Sequence, residues 1–80
     1  MAFSEDDRTR LLALHGVGET VVTRLEQTGL GTFETLAEAD AEEVLADIAA
    51  MLGSSCWRNS PRAREAVAAA IAFARSHGVR

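Results

Sequence analysis

An all-α fold, one compact domain of five helices over residues 1–80, is predicted from three observations. Apolar residues recur every three or four positions, no stretch alternates apolar and polar residues as a half-buried strand would, and capping residues precede the periodic segments. No repeat, low-complexity tract or linker marks a second domain.

Ser4 precedes Glu5, Asp6 and Asp7, a cap followed by carboxylates that suit the positive end of a helix dipole. A first helix is therefore expected from Glu5 to Ala13, with Leu11, Leu12 and Leu14 at its buried end. A second, from Glu19 to Gly29, gathers Val21, Val22 and Leu25 on one side and Thr20, Thr23, Glu26 and Gln27 on the other; Gly29 supplies a left-handed stop. Thr32 caps a short third helix with Phe33 and Leu36 turned inward. Asp40 and Glu43 form a capping box for a fourth, whose apolar stripe of Val44, Leu45, Ile48, Met51 and Leu52 ends at Gly53. Ser60 and Pro61, a cap followed by the one helical position that proline favours, open a fifth helix that runs to about His77 before Gly78. Its buried arc contains Ala63, Ala66, Val67, Ala70, Ile71 and Ala74, with Arg64 and Arg75 on one flank and Arg62 on the other. So many alanines let this helix approach its neighbours closely.

Composition narrows the function. The single cysteine, Cys56, excludes an internal disulfide framework and leaves too few ligands for a zinc site, so no metal or cofactor is expected and the setting is read as reduced and cytosolic. The longest apolar run, residues 66–74, is half the roughly 18 residues a membrane span requires, and the acidic start MAFSEDDRTR lacks the apolar stretch of a secretory signal. A soluble protein without a membrane partner is expected. Net charge is -4, but the sum hides a split: residues 1–57 carry three arginines against eleven acids, and residues 58–80 carry five arginines against Glu65 alone. The carboxylates lie on caps and solvated faces, and so small a chain has no evident cleft to shift their pKa values, which reads against an enzyme.

In LHGVGETVVTRL, residues 14–25, two glycines stand one residue apart between two helical segments. A reversal that tight is expected to need φ > 0 at Gly16 and Gly18, and it leads directly into a helix N-terminus whose free N–H groups, from Gly18 to Val21, can receive an anion. The stretch resembles the helix-hairpin-helix family of nucleic-acid-binding modules: Gly16, Val17, Gly18, three variable residues, Val22 and Leu25 follow the family's spacing. The likeness continues through Thr28, Gly29 and Leu30 and the connector TFETLAEADAEEVL, covering about residues 11–45. His15 stands where proline is frequent, and Glu19 and Thr20 stand where the family often has Lys or Arg.

The resemblance implies a helix-hairpin-helix (SAM-like) fold and non-sequence-specific contact with the backbone of double-stranded DNA, as an accessory in repair, recombination or uptake. Carried over by position, the contacts are Gly16, Val17, Gly18, Thr20 and Arg24. It also permits a monovalent cation under the hairpin carbonyls. Many such modules are paired, and the last two helices, joined by GSSCWRNSP, leave room for a degenerate second hairpin without Gly-x-Gly. There Ser54, Ser55, Asn59 and Ser60 are hydrogen-bonding groups beside Arg58, Arg62 and Arg64, which complete the expected nucleic-acid-binding set. His15 is read as a turn residue packing its ring on a neighbour, His77 as a helix-end residue and Trp57 as a plug pinning the long loop to the core. The competing reading is a protein-interaction module on the same scaffold, binding a partner or a second copy through an apolar surface around Trp57 and not binding DNA.

Overall fold

Helices account for most of the residues that the computed structural model describes, 3–14, 16–53 and 56–78, and no strand occurs among them. In chain order they are α1 (Glu5–Leu12), α2 (Glu19–Gln27), α3 (Phe33–Ala37), α4 (Ala41–Leu52), α5 (Cys56–Asn59) and α6 (Pro61–Gly78). The expected all-α class is observed, but the count is six among the described residues. The additional element is α5, a single turn within the stretch expected as a connector. Four residues are too few to carry a helical period, so no pattern announced it.

Side-chain caps set most of the helix starts. Ser4 Oγ accepts from the Asp7 amide, Thr32 Oγ1 from Thr35, Asp40 Oδ2 from Glu43 and Ser60 Oγ from Ala63, each at 3.2 Å. The end of α2 is closed by Gly29 at φ +87°: its amide donates to the Glu26 carbonyl and that of Leu30 to Leu25, the paired bonds of a Schellman stop. Gly29 therefore follows the helix instead of ending it from within, with Thr28 as the cap.

The core is one cluster around α6. Ala66, Val67, Ala70, Ile71 and Ala74 are buried there against Leu11, Val22, Leu25, Leu36, Leu45 and Ile48. Burying each of the larger side chains contributes about 1.5–3 kcal/mol. The stripe on α4 is buried only as far as Ala49, and Met51 and Leu52 in its last turn stay exposed. Ala63 is half-buried, at the edge of its expected arc.

Polar and aromatic contacts brace the cluster. Glu26 Oε2 accepts from Arg8 Nη1 and from the Phe3 amide, both at 3.1 Å, tying α1 and the segment before it to α2. Arg75 Nε donates to the Ala37 carbonyl at 2.9 Å, satisfying an orphan acceptor at the end of α3 from the distant α6. Phe3, Phe33 and Phe73 form a chain of tilted and edge-on rings with centroids 5.9 and 5.6 Å apart. No helix among the described residues is long and apolar enough to cross a membrane.

Leu25 has no exposed surface, whereas Met51 is 43% exposed. Leu25→Ala is expected to lower unfolding free energy in urea by about 2–5 kcal/mol, and Met51→Ala by less than about 1 kcal/mol.

Candidate nucleic-acid interface

The turn between α1 and α2 is built from the inside outward. Val17 is buried in the core and its amide donates to the Leu14 carbonyl at 3.2 Å, closing a four-residue turn. Val17 thus anchors the hairpin with both its side chain and its N–H. Gly16 occupies the third position of that turn at φ +85°, the left-handed region where a side chain is costly. His15, the second residue of the turn, lies outside the described residues.

Gly18 departs from expectation. Its φ of -109° and ψ of 178° are ordinary extended backbone, so among the described residues of the turn the positive φ belongs to Gly16 and not to Gly18. What Gly18 does is begin α2: it is the N-cap, its carbonyl accepts from Val22 at 3.2 Å, and without a side chain it leaves α2 with no side-chain cap hydrogen bond. The amides of Glu19, Thr20 and Val21 precede that first intrahelical bond and carry the positive end of the helix dipole. Gly16, Gly18, Glu19 and Thr20 are all exposed.

The first turn of α6 stands beside this corner. Gly16, Arg62, Glu65 and Ala66 line a cleft of about 380 Å³. The fold thereby brings one guanidinium to the hairpin from a residue 46 positions later in the chain. Glu65, one turn after Arg62, brings a carboxylate with it. Sequence reasoning passed over Glu65 as the lone acid in a basic segment, although the three-residue spacing from Arg62 already placed both on neighbouring positions of one helix face.

The other arginines expected at the interface have different surroundings. Arg24 is half-buried, its Nη1 donates to Gln27 Oε1 at 2.8 Å, and its Nε is buried without a hydrogen-bond partner. Arg64 pairs with Glu42 of α4 and reaches the Arg58 carbonyl at 3.4 Å. Both members of that ion pair are largely exposed, so it adds little stability, but it turns the Arg64 charge toward an acidic helix. Arg58 is exposed on α5. Arg62 and Arg64 therefore serve different faces, as their separation on the helix implied.

In the connector expected as a second hairpin, Ser54 and Ser55 lie outside the described residues, the Ser60 hydroxyl is occupied in capping α6, and α5 fills the loop. Trp57 is half-buried against the core, in agreement with its expected role as a plug. His77 belongs to α6. No protein-family model, curated protein or solved structure matches this chain.

The two hairpin glycines are expected to respond oppositely to the same change. A Cβ at either position has open space, so the difference is conformational. Gly16→Ser, forced to positive φ, should lose about 1–2 kcal/mol in chemical denaturation. Gly18→Ser, in ordinary backbone and with a hydroxyl able to cap α2, should be neutral or gain a few tenths of a kcal/mol.

Proposed function

We propose that this chain is a small cytosolic helix-hairpin-helix module that binds the phosphate backbone of double-stranded DNA without reading its sequence, as an accessory in repair, recombination or uptake. One observation carries the reading: α2 opens at an exposed glycine hairpin without a side-chain cap, and Arg62 lines the same cleft as Gly16. Outward amides with fractional positive charge suit a phosphodiester oxygen, and a guanidinium adds a forked pair of charged donors. Such contacts reach phosphates and not base edges, so they position the protein without distinguishing sequences.

The interface on this reading is smaller than the full set of expected residues. Gly16, Gly18, Thr20 and Arg62 form its centre, Val17 anchors it, and Arg58 is a further exposed cation on α5, just before α6. Glu19 and Glu65 border the corner and the chain carries net charge -4, so electrostatic attraction is modest. Roughly one or two phosphates neutralised would set a shallow logarithmic salt dependence, with a slope of about -0.9 per phosphate.

A duplex titration followed by NMR at low and moderate salt tests the proposal. Salt-sensitive shifts are expected at Gly16, Gly18 and Arg62. Arg62→Glu should weaken binding strongly, and Arg64→Glu, whose arginine is already paired with Glu42, only slightly. Gly18→Asp separates stability from binding: its carboxylate would cap α2, raising stability by a few tenths of a kcal/mol while competing with the phosphate for the same amides. Unchanged affinity in both Arg62→Glu and Gly18→Asp would refute the interface. A chain silent toward duplex at low salt would instead favour the protein-interaction module.

A further inference from the structure

We infer that the cleft between the hairpin and α6 also takes one unpaired guanine of the strand whose phosphate the hairpin holds, with Glu65 reading its base edge. The inference rests on the hairpin binding a backbone phosphate, a reading that leaves two features of the cleft unused. One is its size: about 380 Å³ falls within the ~300–1,000 Å³ of clefts that enclose a small molecule, and a phosphodiester oxygen held by amides and one guanidinium fills little of that. The other is Glu65, the only acid in residues 58–80, standing where a carboxylate repels a phosphate. No structural duty accounts for it. Ser60 caps α6 by accepting from the Ala63 amide, Glu65 lies beyond that first turn, and it forms no ion pair with Arg62 or any other described residue.

A guanine nucleotide supplies a use for both. The N1–H and N2 amino group of the base are neighbouring donors on one edge, and a carboxylate offers two acceptor oxygens to such a pair. Arg62 and Glu65 are neighbours on one helix face, a guanidinium for the phosphate and a carboxylate for the base. Ala66, only 2% exposed, gives the cleft an apolar surface for the ring, and Gly16 leaves the space beside the hairpin open. The other bases suit a carboxylate less well: adenine and cytosine set an amino donor beside a ring acceptor, and thymine sets one N–H between two carbonyls. In a duplex this edge of guanine is taken by cytosine, so the base must be unpaired, and intact duplex is still bound without sequence reading.

The test is fluorescence anisotropy of the full chain with duplexes that differ only at one end: blunt, or carrying a single unpaired guanine, hypoxanthine or thymine. The guanine end should bind roughly tenfold or more tighter than the blunt and thymine ends, the scale of one bidentate contact to a base edge, with hypoxanthine, which lacks the amino group, in between. Glu65→Gln, at an exposed position of α6, should keep the helical circular dichroism and abolish the difference between guanine and thymine ends. A carboxylate that only repels phosphate gives another result: Glu65→Gln then tightens every duplex by one common factor, and that overturns the inference. Equal wild-type affinity for guanine and thymine ends overturns it too, while leaving the phosphate contact of the hairpin standing; a chain that binds none of the duplexes loses both readings. Deoxyguanosine monophosphate, which offers the same edge and a phosphate, serves as competitor. Displacement only at large excess keeps the cleft with strands, and displacement at a concentration equal to that of the duplex assigns it to free nucleotides and overturns the strand as occupant.

Discussion

The fold depends on how closely α6 can be approached. Ala66, Ala70 and Ala74 are essentially without exposed surface, and between them Val67 and Ile71 fill the gaps that small side chains leave. Around this one long helix stand elements that would not persist alone: isolated helices shorter than about 12–15 residues are marginal in water, and α1, α2, α3 and α5 all fall below that length. α3, five residues long, has its most extensive contacts with α6 and has a terminal carbonyl satisfied by Arg75 from that same helix. Tertiary contact, not intrinsic propensity, holds these pieces helical.

The same arrangement decides the electrostatics of the hairpin. Its amides are fixed by Gly16 and Val17 and one carboxylate by Glu19, all local, but its cation and a second carboxylate come from Arg62 and Glu65 at the start of α6. The corner combines the positive end of the helix dipole with one cation, Arg62, and two carboxylates, Glu19 and Glu65. Arg64, two residues from Arg62, is turned through most of a helical half-circle and is neutralised by Glu42. The acidic front and basic rear of the sequence are therefore in contact in three dimensions, and the bulk charge split overstates the basic surface available to a partner.

Local signals were legible and distant ones were not. Ser4, Thr32, Asp40 and Ser60 were read as caps because a cap bonds an amide only three residues away, and each does so. The buried faces of α2 and α6 were legible for the same reason, since a helical period is a property of a short window. Gly18 was misread because a glycine's identity permits positive φ without requiring it; only the turn closed by Val17 shows that one glycine suffices. The exposure of Met51 and Leu52, the pairing of Arg64 with Glu42 and the approach of Arg62 to Gly16 all depend on how distant helices pack. A single sequence carries no local mark of that.

The aromatic chain of Phe3, Phe33 and Phe73 has a kinetic consequence. It joins the segment before α1 to the last turns of α6 through a helix in the middle of the chain, across 70 residues of an 80-residue sequence. Most small helical domains fold quickly because their contacts are close along the chain, whereas joining remote segments demands loop-closure entropy before any contact rewards it. Completion of this core must await the meeting of segments 70 residues apart, which slows the search relative to an up-and-down bundle of equal size and makes α6 the helix whose arrival locks Phe3 in place.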